Sequence, residues 1–190
     1  MANHDLVIIG GGPAGLTAAL YAGRSRLDTL LIEKMSVGGR ILMSEIIENY
    51  PGFPGGIPTH ELMARMEEQV KELGIKIVSE KVLDLDCANR TVNTSSSNHQ
   101  AQSIIIASGA RPRKLNIPGE EQYTGRGVSY CATCDAPFFK EKKVVIVGGG
   151  NAVAEEAIYL SRFASLVTVI HRRADLRASP ILQERMQQNN

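Results

Sequence analysis

The sequence predicts an α/β protein made of two three-layer units of the same design, the second of which is incomplete. The main observation is an internal repeat, because residues 6–34 match residues 144–172 without a gap. Each copy reads as a strand, a glycine-rich turn, a helix and a second strand. The strands are short runs of β-branched residues, which is typical of parallel strands covered on both faces. A chain of 190 residues has room for two small domains of this kind.

Composition argues against several classes of function. The net charge is +1, aromatic residues make up 5% and tryptophan is absent, so nothing indicates nucleic-acid binding. No apolar run reaches the roughly 18 residues that a membrane helix needs. The first residues lack the basic and apolar segments of a signal peptide, and we expect a cytoplasmic protein that does not associate with membranes.

The first glycine turn carries the dinucleotide-binding fingerprint Gly10-x-Gly12-x-x-Gly15. In this Rossmann-like pattern the first glycine forms the tight turn, the second leaves room for a pyrophosphate, and the third lets the helix pack closely on the strand. The phosphates then meet the free N–H groups and the positive dipole end of the helix. Glu33 ends the next strand, where a carboxylate suits the hydroxyls of an unphosphorylated adenosine ribose. FAD fits such a site.

The second turn, Gly148-x-Gly150, opens a helix at Asn151 but has Val153 in place of the third glycine. We expect Val153 to push this helix slightly off the strand. The residues after the second strand are basic instead of acidic: His171, Arg172, Arg173 and Arg177. Two arginine–phosphate contacts of about 1.5–3 kcal/mol each would favour NADP over NAD by about two orders of magnitude or more. The two turns together therefore predict FAD and NADPH as cofactors.

The segment between the two copies reads as a helix followed by short strands. Residues 61–74 place four apolar side chains on one helical face: Leu62, Met66, Val70 and Leu73. Strands are expected at residues 75–78, 81–86 and 90–94, and a buried strand at 103–112. We expect an FAD-binding domain at residues 1–113 and an NADPH-binding domain at 114–190.

Two of the three cysteines form the motif Cys131-x-x-Cys134, followed directly by Asp135. Zinc needs four ligands, and the other cysteine and the histidines lack the spacing, so we predict no metal site. A purely structural disulfide that closes so small a loop is disfavoured in the cytosol. A redox pair is the favoured interpretation, with Asp135 accepting or supplying the proton. We expect Phe138 and Phe139 to serve as apolar packing.

Six segments of the chain together resemble one known family. They are GGGPAG at 10–15, GGR and ENYPGFP within 38–54, IIIASGARP at 104–112, CATCD at 131–135, GGGNAVAEEA at 148–157 and HRRADLRAS at 171–179. In order and spacing they resemble the low-molecular-weight thioredoxin reductases across essentially the whole chain.

The resemblance implies a mechanism and a set of residue roles. NADPH would reduce FAD, FAD would reduce the Cys131–Cys134 disulfide, and the dithiol would reduce the disulfide of thioredoxin. Cys134 is expected to face the flavin, and Asp135 to act as acid and base. The implied FAD positions are Gly10, Gly12, Pro13, Ala14, Gly15, Glu33, Gly39, Arg40, Asn49, Val82, Ala107 and Gly109. The implied NADPH positions are Gly148, Gly150, Asn151, His171, Arg172, Arg173 and Arg177.

The family also implies features of the whole molecule. Its members rotate one domain against the other and are usually homodimers, so a homodimer is expected. Arg40 stands where the family usually has glutamine, Ser108 replaces a common threonine, and Ala136 replaces a common glycine. Family members continue well beyond the last residue of this chain. The resemblance therefore implies that the 190 residues are a fragment of a longer reductase. The FAD-binding domain would then lack its C-terminal closing segment, and the NADPH-binding domain would be partial.

Two other classes of function stay open. One is a related flavin disulfide reductase, either a peroxiredoxin-reducing enzyme or a thiol oxidase. The basic residues at 171–177 argue against the oxidase, which needs no NADPH site. The other is a non-catalytic dinucleotide-binding module, which would bind nucleotides without transferring electrons.

Overall fold

The computed structural model describes residues 2–189 and divides into two compact units. The first unit ends at Arg111 and the second begins at Pro112, close to the boundary expected from the sequence. The assignment of the two units to FAD and NADPH stays a prediction.

The first unit is built on a six-stranded sheet. The strands described in this unit are β1 (Ala2–Ile9), β2 (Thr29–Glu33), β3 (Ile46–Ile47), β4 (Ile57–Pro58), β5 (Lys76–Ser79), β6 (Val82–Asp86), β7 (Thr91–Thr94) and β8 (Asn98–Ile106). The sheet has the order β5-β2-β1-β8-β7-β6, in which β5, β2, β1 and β8 run parallel. β7 is antiparallel to both of its neighbours, and β3 and β4 form a separate antiparallel pair.

Two helices, α1 (Pro13–Arg24) and α2 (Thr59–Glu72), cover one face of this sheet. Leu16 of α1 and Val70 of α2 are fully buried with Leu31 of β2. The helix predicted at 61–74 is confirmed, with both ends two residues earlier. Its apolar face contacts the core as expected, because Leu62 is buried and Met66 packs against the same cluster.

The opposite face of the sheet buries Val7, Leu30 and Ile32 together with Val92 of β7. Apolar side chains of β6 also pack against this cluster. The β6–β7 hairpin pairs with β8 at the edge of the sheet, and its apolar side chains pack over the parallel strands. The unit thus has three layers, namely the helices, the parallel strands and this hairpin. The predicted coverage of both faces is confirmed for this unit.

The strand predicted at 103–112 differs from β8 at both ends. β8 begins at Asn98, because residues 98–100 form a hairpin with β7 that the sequence pattern did not reveal. The prediction of a buried strand is wrong, since Ser103, Ile105 and Ile106 are exposed, Ile106 by 63%, and Ile104 is half-buried.

The second unit repeats the β-α-β arrangement. Two short helices, α3 (Glu120–Tyr123) and α4 (Ala132–Asp135), precede β9 (Lys143–Val147), α5 (Asn151–Leu160), β10 (Leu166–Ile170) and α6 (Pro180–Gln188). β9 and β10 pair in parallel, and the final helix begins at Pro180. The predicted α/β fold class is confirmed, and the sheet described within residues 112–189 has two strands.

The two-stranded sheet is packed on one face. Ile146 of β9 is buried with Ala157 and Leu160 of α5 and with Ala132 and Ala136 from the segment around α4. The alternate side chains of the two strands are exposed: Val145, Val147, Leu166 and Ile170. The predicted coverage of both faces is therefore wrong for the strands of the second unit.

None of the helices that the structure describes between residues 2 and 189 has the length and apolar character needed to span a membrane.

Truncation of Leu31 should destabilise the first unit. Leu31→Ala is expected to lower the free energy of unfolding by about 2–5 kcal/mol, because it removes buried methyl groups and leaves a cavity. Urea unfolding followed by circular dichroism measures this change. Leu83→Ala is the matched control, since Leu83 of β6 is 62% exposed and its truncation should change stability by no more than about 0.5 kcal/mol. Equal losses for the two variants would contradict the packing.

Candidate functional site

The two glycine turns share the same backbone geometry. The Gly10 N–H donates to the Ile32 carbonyl oxygen at 2.8 Å, and the Gly148 N–H donates to that of Ile170 at 2.9 Å. Both glycines have positive φ, +108° and +144°, which side chains rarely tolerate. The internal repeat therefore extends to the hydrogen bond that joins each turn to the neighbouring strand.

The second glycine of each turn leaves an open cradle at a helix N-terminus. Gly12 and Gly150 precede α1 and α5 in extended conformations, and no side chain caps either helix. A Cβ on Gly12 would meet only the Gly38 oxygen, at 3.8 Å, and one on Gly150 would meet nothing within 4 Å. Open space beside the N–H groups of a helix start fits a pyrophosphate.

The third position differs between the copies. A Cβ on Gly15 would lie 1.8 Å from the Gly10 oxygen, so this glycine is required for close packing of α1 on the turn. In the second copy the Cγ2 of Val153 lies 2.7 Å from where a Cβ on Gly148 would stand. The larger side chain thus lies beside the space left by the first glycine. The displacement of α5 by Val153 stays a prediction.

Glu33 lies beside the first turn at the end of β2. Its carboxylate accepts hydrogen bonds from the Gly11 N–H at 2.7 Å and from the Met35 N–H at 3.2 Å. Two carboxylate oxygens offer about four lone-pair sites, so acceptor capacity is left for ribose hydroxyls. The geometry fits the predicted role of Glu33 in binding an unphosphorylated adenosine ribose.

Other predicted FAD positions converge on the same turn. Pro13 and Ala14 form the first turn of α1. A Cβ on Gly39 would lie 3.3 Å from the Gly12 Cα. Ala107 lies under Gly10, because a Cβ on Gly10 would come within 2.4 Å of the Ala107 oxygen.

For the remaining predicted FAD positions, the structure of residues 2–189 describes no contact with the first glycine turn. Arg40 lies in a short 3₁₀ helix and is exposed, as is Asn49. The side chain of Val82 packs against the core beneath the sheet. Gly109 has a φ of +68°, and a Cβ added to it would meet nothing within 4 Å.

In the second unit a basic loop, residues 171–179, lies against the second glycine turn. The ring of His171 stands 2.6 Å from where a Cβ on Gly149 would lie, and its Nε2 is buried without a hydrogen-bond partner. The Arg177 N–H donates to the Gly149 oxygen at 2.6 Å. Arg172, Arg173 and Arg177 are exposed. Exposed guanidinium groups beside an open cradle fit a phosphorylated adenosine ribose.

Asn151, which was predicted to bind the cofactor, has a protein partner. Its Oδ1 accepts a hydrogen bond from the Ser179 N–H at 2.8 Å.

Cys131 and Cys134 are joined in a disulfide with a Cα–Cα distance of 5.3 Å. Cys131 precedes α4, and its Sγ accepts from the Cys134 N–H at 3.2 Å. Cys131 is half-buried, whereas Cys134 is exposed. Among residues 2–189 no group of three or more histidine, cysteine and acidic side chains is arranged to hold a metal ion.

Asp135 and Phe138, which follow the disulfide, have different surroundings. Asp135 ends α4, and its N–H donates to the Cys131 oxygen at 3.2 Å. The prediction of apolar packing is wrong for Phe138, which is 73% exposed. A large exposed aromatic side chain four positions after Cys134 is suited to contact with a protein partner.

The sequence interpretation did not identify Glu120 and Tyr130 just ahead of the disulfide. The buried Glu120 carboxylate accepts from the Tyr130 hydroxyl at 2.6 Å and from the N–H groups of Leu115 and Asn116 at 2.8 and 2.6 Å. These donors, Tyr130 first, hold the pKa of Glu120 below its usual value, while the same carboxylate raises the pKa of the Tyr130 phenol. The residue before Cys131 is thereby fixed to the start of the second unit.

The fold and the site define an α/β protein of two units that share one glycine-turn design, the second of which also contains a disulfide. The chain belongs to the pyridine nucleotide-disulphide oxidoreductase family, whose model matches residues 4–190.

Relatives within this family are thioredoxin reductases. Those of Peptoclostridium litorale and Mycolicibacterium smegmatis are 45% and 47% identical over 98% of this chain and 60% of their own length. The structure of Lactococcus lactis thioredoxin reductase matches with a TM-score of 0.92 and 46% identity, covering 96% of this chain and 60% of that one. The structure of T. acidophilum thioredoxin reductase matches with a TM-score of 0.92 and 32% identity, covering 100% of this chain and 63% of that one. The chain thus spans about 60% of the length of the relatives it matches.

Alanine substitutions at two glycines should separate packing from binding. Gly15→Ala is expected to destabilise the first unit by at least about 1–3 kcal/mol, because the added methyl group collides with the backbone of Gly10. Gly12→Ala should leave the melting temperature nearly unchanged but weaken FAD binding at least about tenfold, since the methyl group enters the cradle. Thermal melting and flavin-fluorescence titration measure the two effects. Wild-type flavin affinity in Gly12→Ala would exclude this turn as the cradle.

The Glu120 carboxylate should make the second unit sensitive to acid. A carboxyl whose pKa is lowered by folding stabilises the fold above its unfolded pKa, and that contribution is lost as the pH falls through the folded pKa. Glu120→Gln is therefore expected to lower the melting temperature at neutral pH and to reduce its further fall toward about pH 3. Glu121→Gln serves as the control, because the Glu121 side chain is 82% exposed and its ion pair with Lys114 is screened by solvent. An acid-induced fall of wild-type size in Glu120→Gln would disprove this role.

Proposed function

We propose that the protein acts as an NADPH-dependent, FAD-containing thioredoxin-disulfide reductase. The observation that carries this proposal is the Cys131–Cys134 disulfide, which lies in the same unit as a glycine turn flanked by arginines. The family supports disulfide chemistry, and relatives named thioredoxin reductase support thioredoxin as the protein substrate.

The two cofactors would occupy different units. We assign FAD to residues 1–113, where Gly12 and Glu33 would hold its pyrophosphate and adenosine ribose. NADPH is assigned to residues 114–190, where Gly150 would receive the pyrophosphate and the arginines of the basic loop the 2′-phosphate. Bound FAD supplies the exchange between a hydride from NADPH and the electron pair that a disulfide accepts.

The residues around the disulfide suit both halves of the thiol chemistry. Reduction of the Cys131–Cys134 bond takes up two electrons and two protons and yields two thiols. The Cys134 N–H, which donates to Cys131 Sγ, favours a thiolate at that sulfur, and Asp135 is the neighbouring carboxylate that would carry protons. A thiolate then attacks the partner disulfide, and the second thiol resolves the mixed disulfide, which releases the partner as a dithiol.

The location and assembly of the protein follow from the same proposal. A thioredoxin reductase acts where thiols are kept reduced, which favours the cytoplasm. Homodimer formation is proposed for the complete enzyme.

A coupled assay of the purified protein tests the function. With FAD, NADPH and oxidised thioredoxin, the expected result is consumption of one NADPH for each thioredoxin disulfide reduced. In a Cys131→Ser, Cys134→Ser double variant, NADPH should still bleach the flavin spectrum, but thioredoxin reduction should fall to background, because the electrons have no disulfide to enter. Serine is nearly isosteric with cysteine, so the fold should be retained.

Other outcomes of the same assay would contradict the proposal. Reduction of a peroxiredoxin-linked donor but not of thioredoxin would indicate a related disulfide reductase. Oxygen consumption with a dithiol and without NADPH would indicate a thiol oxidase. Nucleotide binding without flavin bleaching would indicate a non-catalytic module.

A further inference from the structure

The side chain of Asn151 connects the second glycine turn to the basic loop. Asn151 is the first residue of α5 and directly follows Gly150, so its backbone lies in the cradle. Its Oδ1, however, accepts the Ser179 N–H at 2.8 Å, at the far end of the basic loop. The oxygen is therefore engaged with the protein and is not directed to a ligand.

The loop has further anchors on either side of its exposed arginines. The His171 ring lies against Gly149, and the Arg177 N–H donates to the Gly149 oxygen at 2.6 Å. Ala178 is 5% exposed and packs with Ala154 and Leu182. Among these contacts, the hydrogen bond that Asn151 Oδ1 accepts from the loop is made by a side chain at the helix start. A mutation of Asn151 can therefore remove it without altering the backbone anchors.

We infer that Asn151 is a positioning residue for the 2′-phosphate of NADPH, which acts by holding the basic loop against the glycine turn and not by touching the cofactor. This inference rests on the proposed function, because it requires that the arginines of the loop bind that phosphate. An arginine side chain loses rotamer entropy on binding, so a clamp also requires a fixed backbone from which the side chain extends.

Direct contact between Asn151 and the cofactor would predict a different pattern of affinity losses. If the Asn151 amide contacted the pyrophosphate, its removal would weaken every adenosine nucleotide. If Asn151 acts through the loop, its removal should weaken only ligands that carry a 2′-phosphate. The ratio of two affinities therefore separates positioning from contact and from general damage to the fold.

Calorimetric titration of the full chain measures this ratio. The ligands are adenosine 2′,5′-bisphosphate and adenosine 5′-phosphate, which differ only in the 2′-phosphate. Asn151→Ala is expected to weaken binding of the bisphosphate about fivefold, the equivalent of losing one hydrogen bond of about 1 kcal/mol. Binding of the 5′-phosphate should stay within about twofold of wild type.

A matched control lies at the other end of the same helix. The Asn189 Nδ2 donates to Ser161 Oγ at 2.6 Å, which ties the end of the chain to α5 far from the glycine turn in sequence. Ser161→Ala removes this exposed hydrogen bond together with the one that Ser161 Oγ donates to the Ile158 oxygen at 2.7 Å. It should leave both affinities unchanged.

Hydrogen exchange of the ligand-free protein gives a second readout. In Asn151→Ala the Ser179 amide should exchange faster, while the Arg177 amide keeps its protection. Asn151→Asp retains an acceptor oxygen and should restore the protection of Ser179.

Four results would overturn the inference. They are an unchanged affinity ratio in Asn151→Ala, equal weakening of both ligands, a similar loss in Ser161→Ala, and unaltered exchange at Ser179. Failure of the proposed function is recognised separately, because wild-type protein would then bind the two ligands equally well before any variant is compared.

Discussion

The close approach of a helix to the turn before it is the constraint on which the first unit depends. A Cβ on Gly15 would overlap the backbone of Gly10, at 1.8 Å from its oxygen. A glycine is thus required for packing at one end of the turn, while Gly12 leaves the other side open. The same short sequence therefore brings the N-terminus of α1 onto the sheet and keeps it accessible to an anion.

The second unit reaches a comparable turn by a different packing. Val153 occupies the third position, and the space for it exists because Gly148 has no side chain. The residues beside each turn then determine what that turn can bind. The first has a carboxylate, held by the N–H of Gly11, whereas the second has a loop of arginines, held by Gly149 and Asn151. One backbone design thereby has a carboxylate beside its first copy and guanidinium groups beside its second.

The sequence was sufficient for the features that depend on local backbone requirements. Positive φ at Gly10 and Gly148 and an open helix start recur wherever a strand turns into a helix at a nucleotide site, so spacing alone reveals them. The buried face of α2 was likewise predictable from the helical spacing of its apolar residues.

Features that depend on contacts between distant segments were not predictable in the same way. Glu120 and Tyr130 carry no motif, and their contact follows from how the segment ahead of α4 folds back. The early start of β8 results from pairing with β7, and the exposure of Phe138 depends on the turn after α4. The hydrogen bond of Asn151 to Ser179 joins two residues that no periodicity relates.

Hydrogen-exchange mapping with each cofactor added alone tests most directly whether the two turns are distinct sites. The account predicts that FAD slows amide exchange at residues 10–15, and that NADP slows exchange at residues 148–153 and 171–179. Protection of residues 10–15 by NADP, or of one turn by both cofactors, would contradict it.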